Sequence, residues 1–306
     1  MKNEVVSIDL GSNSFRVLKY DCIKNEILAE YNEVVGMADG LVDTGEISKE
    51  AQERVVNAIL HSINEVKYES KNAIAVTTAA MRKAKNSEEV LKYFKEKTGV
   101  DFSIINGKEE ARLTLLAVQY ALKREKIDSS KFVLLDIGGG STEIIVNTND
   151  KYEAHSFDFG IVTMTQTYFK YHDLHNDLDV QKEKIKSFLD SLDIDLTDYS
   201  FVATAGTPTT IAAIKLGQDF FSYDRNIVNG ALVNLQDLED CLKIFENSSQ
   251  EEIMKLVGKG RIEFIEVGIF IYRAIFEVLN KKESIVLDDG LREGVAINSC
   301  LLNTKC

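Results

Sequence analysis

The sequence predicts an α/β protein of two similar domains, and three observations carry that reading. Strand-like alternation gives way to helical periodicity in the order βββαβαβα, and the whole order then recurs. Two stretches, "SIDLGSNSFRVLKY" (7–20) and "LLDIGGGSTEIIV" (134–146), open the two copies and match in register. A length of 306 residues, 44% of them hydrophobic, is enough for two cores. A solenoid would instead need three or more short units. Two copies of half-protein size imply two mixed-sheet domains flanking a central cleft.

Residues 4–10, 14–22 and 26–35 read as three consecutive strands. A helix from Ser48 to Val66 and a strand at 73–77 follow. The next helix starts at "NSEE", where Asn86 and Glu89 have capping-box spacing, and stops at Gly99. "DFSII" (101–105) is a strand and "KEEARLTLLAVQYALKRE" (108–125) a helix. The second copy places strands at 132–136, 143–147 and 152–157, then helices near 161–170 and 180–192. "FVATA" (201–205) is a strand, with a short helix after Pro208. Helices at 235–246 and 261–280, the strand "SIVLD" (284–288) and a last helix from Leu291 complete the order. The first domain takes residues 1–123, with 291–306 returning to it, and the second takes 124–290. The charged stretch "LKREKIDSSK" (122–131) links them.

Composition narrows the function. With 36 basic against 49 acidic residues the net charge is −13, the wrong field for a general nucleic-acid binder. A polyanionic substrate would have to be met by a local cluster of cations and backbone amides. No apolar run reaches the roughly 18 to 20 residues of a membrane span, and the N-terminus has no apolar stretch of signal length. A cytoplasmic protein without membrane or nucleic-acid partners is expected. The cysteines Cys22, Cys241, Cys300 and Cys306 are scattered without metal or redox spacing, and are expected to be reduced thiols. "HDLH" (172–175) has metal-ligand residue types but no further ligands nearby, and reads as a solvated loop or helix start. A homodimer is compatible with the sequence, which carries no signature for or against one.

The chemistry lies in the paired stretches. Asp9 falls on Asp136, Gly11 on Gly138, Ser14 on Ser141 and Val17 on Ile144. Each copy is strand–Asp–x–Gly–turn–strand. Glycines are expected to let the turn take φ > 0 and approach a ligand closely, so that successive amides form an anion nest. The phosphate-binding candidates are therefore Gly11, Ser12, Asn13 and Ser14 in the first hairpin. In the second they are Gly138, Gly139, Gly140, Ser141 and Thr142. Asp9 and Asp136 are costly to bury alone, and a hydrated divalent cation beside each would relieve that cost. One such hairpin would read as an ordinary turn; the same register in both copies points to phosphate. Neither is a Walker loop, since no Gly-Lys-Ser/Thr follows, and neither is a dinucleotide fingerprint, since each turn leads into a strand.

Paired hairpins on duplicated domains resemble the actin/sugar-kinase/heat-shock ATPase superfamily, whose domains are actin-like (ribonuclease H-like). Within it the chain resembles the exopolyphosphatase/guanosine pentaphosphate phosphohydrolase (Ppx/GppA) family, in its short two-domain form. The resemblance rests on "IDLGSNSFR" (8–16), "DTGEISKEA" (43–51), "VTTAAMRKAKN" (76–86), "NGKEEARL" (106–113), "LLDIGGGSTE" (134–143), "AGTPTTIAA" (205–213) and "DDGLREGV" (288–295), in that order. It implies a Mg²⁺-dependent hydrolase that releases terminal phosphate from inorganic polyphosphate, guanosine pentaphosphate, or both. An actin-like ATPase or phosphotransferase and a non-catalytic alarmone-binding protein are the alternatives.

The resemblance puts the catalytic glutamate at the second Glu of "EEAR", Glu110. A carboxylate there suits the chemistry, because phosphoanhydride hydrolysis needs an in-line water to be oriented and deprotonated. Glu109 is expected only to complement the helix dipole. Glu143, directly after "GGGST", is the second candidate, for metal or water. Arg82 follows a strand end, where open α/β sheets place ligands, and is expected to grip phosphate. Arg16 shares parity with Ser14 on one strand and is a substrate candidate. Gly206 and Thr207 open a helix where an anion or nucleotide is expected, although Ala203 and Ala205 stand where the family has more glycine. Arg261 aligns with a family arginine opening the long helix, and Arg292 is expected to tie the last helix down.

Overall fold

The computed structural model describes residues 4–149, 151–167 and 171–303, with backbone alone for 171–173. The chain divides into two compact units, Met1–Ala117 with Asp289–Cys306, and Val118–Asp288. Both are α/β, and the division falls inside a helix, so residues 122–131 belong to the second unit.

Unit 1 contains β1 (Glu4–Leu10), β2 (Ser14–Asp21), β3 (Glu26–Val34), α1 (Leu41–Thr44), α2 (Lys49–Val66), β4 (Ala73–Thr77), α3 (Ala79–Lys83), α4 (Ser87–Thr98), β5 (Phe102–Ile104) and the start of α5 (Gly107–Arg124). Its sheet has the order β3-β2-β1-β4-β5. The first three strands are antiparallel neighbours, while β1, β4 and β5 run parallel. A parallel step needs a crossover, which the helices supply. Ser48, the expected start of this helix, caps α2 by accepting from the Ala51 amide. Asn86 does not form the expected capping box on α4. Its side chain instead bonds both backbone groups of Ile47, pinning the residue just before the α2 cap.

Unit 2 contains β6 (Lys131–Ile137), β7 (Thr142–Thr148), β8 (Lys151–Phe157), α6 (Ile161–Thr167), α7 (Tyr171–Ser191), β9 (Ser200–Thr204), α8 (Gly206–Lys215), α9 (Arg225–Val228), β10 (Ala231–Asn234), α10 (Leu235–Glu246), α11 (Gln250–Val257), α12 (Ile262–Leu279) and β11 (Glu283–Val286). Its sheet order is β10-β11-β9-β6-β7-β8, the same plan as unit 1 with β10 added at one edge. Strand β10 and helix α11 are absent from the sequence reading, each being too short for its periodicity to stand out. Helix α7 begins earlier than expected, so 172–175 lie within it. The His172 side chain lies outside the description, and no group of three or more metal-type side chains gathers among the described residues. The core of this unit packs the inner sheet face against α8, α10 and α12, with Tyr272, Phe201 and Phe276 fully buried at its centre.

The last helix, α13 (Leu291–Asn303), packs on β1 and β2 of unit 1. Arg292 is 3% exposed and bonds Glu293 (2.8 Å), Asn32 (2.8 Å) and Glu30 (2.9 Å). The arginine is structural, as expected. Gly294 is required for contact, since a Cβ there would fall 2.0 Å from the Leu113 carbonyl on α5. One cysteine expectation is overturned. Cys22, in the β2–β3 turn, and Cys300, on α13, form a disulfide across 278 residues, with Cα atoms 5.4 Å apart. The 5.4 Å separation is within disulfide reach, and only the fold brings two such distant residues together. Cys241 remains a buried free thiol, and Cys306 lies outside the described residues. No described helix is long and apolar enough to cross a membrane.

Candidate active site

In unit 1 the sheet register lines up the C-terminal ends of three parallel strands. Leu10 pairs with Thr77 and Thr77 with Ile104. The Gly11–Asn13 turn, the α3 helix bearing Arg82 and the α5 helix bearing Glu110 all leave from this edge, where α/β sheets bind ligands. Two bonds lock the edge together: Thr77 Oγ1 donates to the Leu10 carbonyl (2.8 Å), and the Ile105 amide donates to the Thr77 carbonyl (3.0 Å).

Arg82 and Glu110 are brought together. Arg82 Nη1 donates to Glu110 Oε2 at 2.7 Å and to the Ile105 carbonyl at 2.9 Å. Glu110 is 8% exposed, so this charge-assisted bond fixes a nearly buried carboxylate. The guanidinium expected on phosphate thus has a protein partner, and its first effect is to orient Glu110. Glu109 is engaged elsewhere. Arg112 grips both its oxygens at 2.8 Å and so lowers its pKa, while its amide is capped by Asn106 Oδ1.

The two hairpin turns share a bond. The Gly11 amide donates to the Ser14 carbonyl, and the Gly138 amide to the Ser141 carbonyl, both at 3.0 Å. Each turn also has carbonyls tied down by a following segment. Ser12 and Asn13 accept from the amides of Val35, Gly36 and Ala38, and Gly138 and Gly139 accept from the first amides of α6. A trans peptide sets its N–H opposite its C=O. Bonding those carbonyls therefore turns the amides of Asn13 and Ser14, and of Gly139 and Gly140, the other way.

Gly138 serves a different purpose from the expected one. Neither Gly11 nor Gly138 has a left-handed φ; at Gly138 a Cβ would lie 2.9 Å from the Ser141 carbonyl, so it is crowding that demands glycine. Gly160, which the sequence reading missed, is tighter still. A Cβ there would come within 2.6–2.7 Å of the Gly138–Gly140 backbone, and its position just ahead of α6 was the available signal. Thr142 is not free to serve phosphate through its hydroxyl, which donates to the Phe159 carbonyl at 2.9 Å.

Overlaying Asp9 on Asp136 also puts Arg16 on Glu143, and here the copies diverge. In unit 1, Asp9 stands directly opposite Arg16 on the paired strand. In unit 2, Asp136 stands directly opposite Glu143, itself 1% exposed. Opposed like charges destabilise a strand pair, so the unit 2 carboxylates suit a divalent cation, while Asp9 already faces a cation. Ser156, opposite Glu143 on β8, donates to Glu143 Oε1 at 2.6 Å and fixes its rotamer. Two carboxylates with waters and substrate oxygens are a common donor set for Mg²⁺.

The α8 opening follows β9 at the same edge of the unit 2 sheet, where Asp136 pairs with Thr204. Gly206 faces open space. Thr207 does not; its side chain packs where a Cβ on Gly268 of α12 would reach 2.1 Å from its Oγ1. Arg261 sits at the N-terminus of α12 over the Phe220 ring, 5.8 Å from its centroid. Ala205 keeps φ +75° and ψ −173°, a backbone region that essentially only glycine occupies and that costs about 1–3 kcal/mol in other residues. Ala205→Gly is therefore expected to stabilise the protein by about 1 kcal/mol after the added chain entropy of glycine. A rise in the urea midpoint at unchanged slope would show it; an unchanged or lower midpoint would count against the strain.

The Ppx/GppA phosphatase family model matches residues 17–303. The chain belongs to the Ppx/GppA phosphatase family. A crystal structure of the Aquifex aeolicus Ppx/GppA family member is 29% identical, with a TM-score of 0.75 and 98% of each chain covered. An exopolyphosphatase from Cytophaga hutchinsonii shares the fold at a TM-score of 0.84 and 21% identity, covering 97% of each chain. The guanosine-5'-triphosphate,3'-diphosphate pyrophosphatase of Aliivibrio fischeri is 28% identical over 296 residues, which is 94% of this chain but 58% of the relative. The chain thus spans a little over half the length of the curated relatives that it matches. The two-unit α/β architecture of this Ppx/GppA chain, with one five-strand plan present in both sheets, is the duplication expected from its hairpins.

Proposed function

We propose that the protein hydrolyses a terminal phosphoanhydride bond of inorganic polyphosphate, guanosine pentaphosphate, or both, with Mg²⁺ as cofactor. The observation that carries this reading is Glu110, a nearly buried carboxylate held by Arg82 at the strand-end edge where the Gly11–Asn13 turn also emerges. In this role Glu110 orients the attacking water and accepts its proton. The outward-turned hairpin amides bind the phosphate oxygens and stabilise the charge that develops on them. Asp136 and Glu143 would hold the cation, which supplies charge neutralisation at the phosphate oxygens. Gly206 and Arg261 are the nucleotide-facing candidates, and Arg16 a substrate contact or the partner of Asp9. The carboxylate at Glu110 favours turnover over alarmone sensing. We place the protein in the cytoplasm, the compartment of nucleotide metabolism.

Phosphate release measured side by side on long polyphosphate, short polyphosphate and guanosine pentaphosphate tests the proposal. With 49 acidic against 36 basic residues, the protein repels a long polyanion beyond the site. Release from the short chains or the nucleotide is expected to exceed that from long polyphosphate at low salt. The gap should narrow as screening grows over about a Debye length. Release from none of the three, with Mg²⁺ present, would overturn the hydrolase reading.

A further inference from the structure

The contacts of α13 give the Cys22–Cys300 bond a reach beyond its own two residues. At its N-terminal end α13 is buried through Arg292 and Glu293, and the Arg292 carbonyl accepts from Ser7 Oγ of β1. Next, Gly294 meets the α5 backbone at Leu113, and Leu291 and Val295 pack with Leu113 and Val76. Leu113 is one helical turn past Glu110. Near its C-terminal end, Cys300 is bonded to Cys22. Cys22 lies in a turn made rigid by Asp21 Oδ1, which accepts from the amides of Ile23 (2.8 Å) and Lys24 (3.0 Å). Cys300 is buried, and Cys22 is half-buried.

We propose that Cys22 and Cys300 are a reversible thiol–disulfide site, open to a dithiol reductant, whose reduction loosens α13 against α5. The attacking thiolate takes the sulfur of Cys22, the less buried of the two residues, and forms a mixed disulfide, and Cys300 leaves as a thiolate and is protonated. The second thiol of the reductant then attacks the mixed disulfide, frees the Cys22 thiolate and closes the reductant's own disulfide. Two electrons and two protons have moved from reductant to protein, and oxidation by a disulfide of the same class reverses the step. Cys241 is no competitor. Burial first, then Asp237 and Asp240, push its thiol up to about 12. In a reducing compartment a bond of this kind is transient and redox-sensing. The effect on phosphate release rests on the hydrolase reading; the site itself does not.

The test compares the full chain oxidised with glutathione disulfide, reduced with dithiothreitol, and reoxidised. Peptide mass mapping should show the Cys22–Cys300 link only in the oxidised samples. Because the bond closes a 278-residue separation, reduction should lower the melting midpoint by roughly 5–15 °C. Hydrogen exchange should quicken in α13 and the first turns of α5 but not in α10. Phosphate release should fall and recover on reoxidation. Cys22→Ser and Cys300→Ser should each behave as the reduced protein and ignore the reductant. Failure to form the link, or equal melting and equal α13 exchange in both states, overturns the proposal. So does a serine variant that still responds to reductant. If melting and exchange respond while neither form releases phosphate, the redox site stands and the hydrolase reading falls.

Discussion

Glu110→Gln is expected to lower phosphate release by about 10²–10⁴-fold, the range for removing a positioned general base. The amide keeps the shape of the carboxylate but cannot take a proton from water. It can still meet Arg82, so the ion pair is lost while a hydrogen bond from the guanidinium to the amide oxygen remains. Substrate affinity, measured by equilibrium binding of a non-hydrolysable analogue, should stay within a few-fold of wild type. Turnover near the wild-type rate would remove Glu110 from the chemistry. Affinity falling in parallel with rate would make it a binding residue instead.

Asp136→Asn and Asp9→Asn separate the two hairpins. Removing the Asp136 charge leaves Glu143 alone to hold a cation, and the Mg²⁺ concentration for half-maximal rate should rise at least about tenfold. Direct Mn²⁺ binding, followed by electron paramagnetic resonance without substrate, should weaken in the same proportion. Asp9→Asn should leave both metal readouts in place, because Asp9 stands opposite Arg16 and not opposite a second carboxylate. Its expected effect is on stability, at most about 0.2–1 kcal/mol, the range for opposite charges placed directly across a strand pair. Equal metal effects in the two variants would mean that the hairpins share one ion.

Much of this was legible in the sequence because the signals were local. Helix α2 with its Ser48 cap, the strand β4 and the helix α10 fall where periodicity and capping residues put them. Both hairpins stood out because a duplicated pattern can be checked against itself, and Glu110 because its "EEAR" motif resembles the family's. The same overlay held the Arg16–Glu143 divergence, which reading the copies for their similarity passed over. The remaining features depend on residues far apart in the chain. The amide of Asn86 serves Ile47, Arg82 reaches Glu110, Thr207 is enclosed by Gly268, and Cys22 finds Cys300. No spacing rule reports such contacts, since each is set by how whole elements pack.

The division of the chain carries a consequence for how the molecule is made. The contiguous unit, Val118–Asp288, has all its strands once residue 288 has left the ribosome. The other unit cannot cover β1 and β2 until α13 follows. At about 5–20 residues per second, the first-made segment waits roughly 10–35 s for the helix that completes it. Through that interval the apolar side chains of β1 and β2 that α13 will cover lie bare on a nascent chain. The half begun first is the half finished last, and that exposed strand surface is the natural place for a chaperone to act.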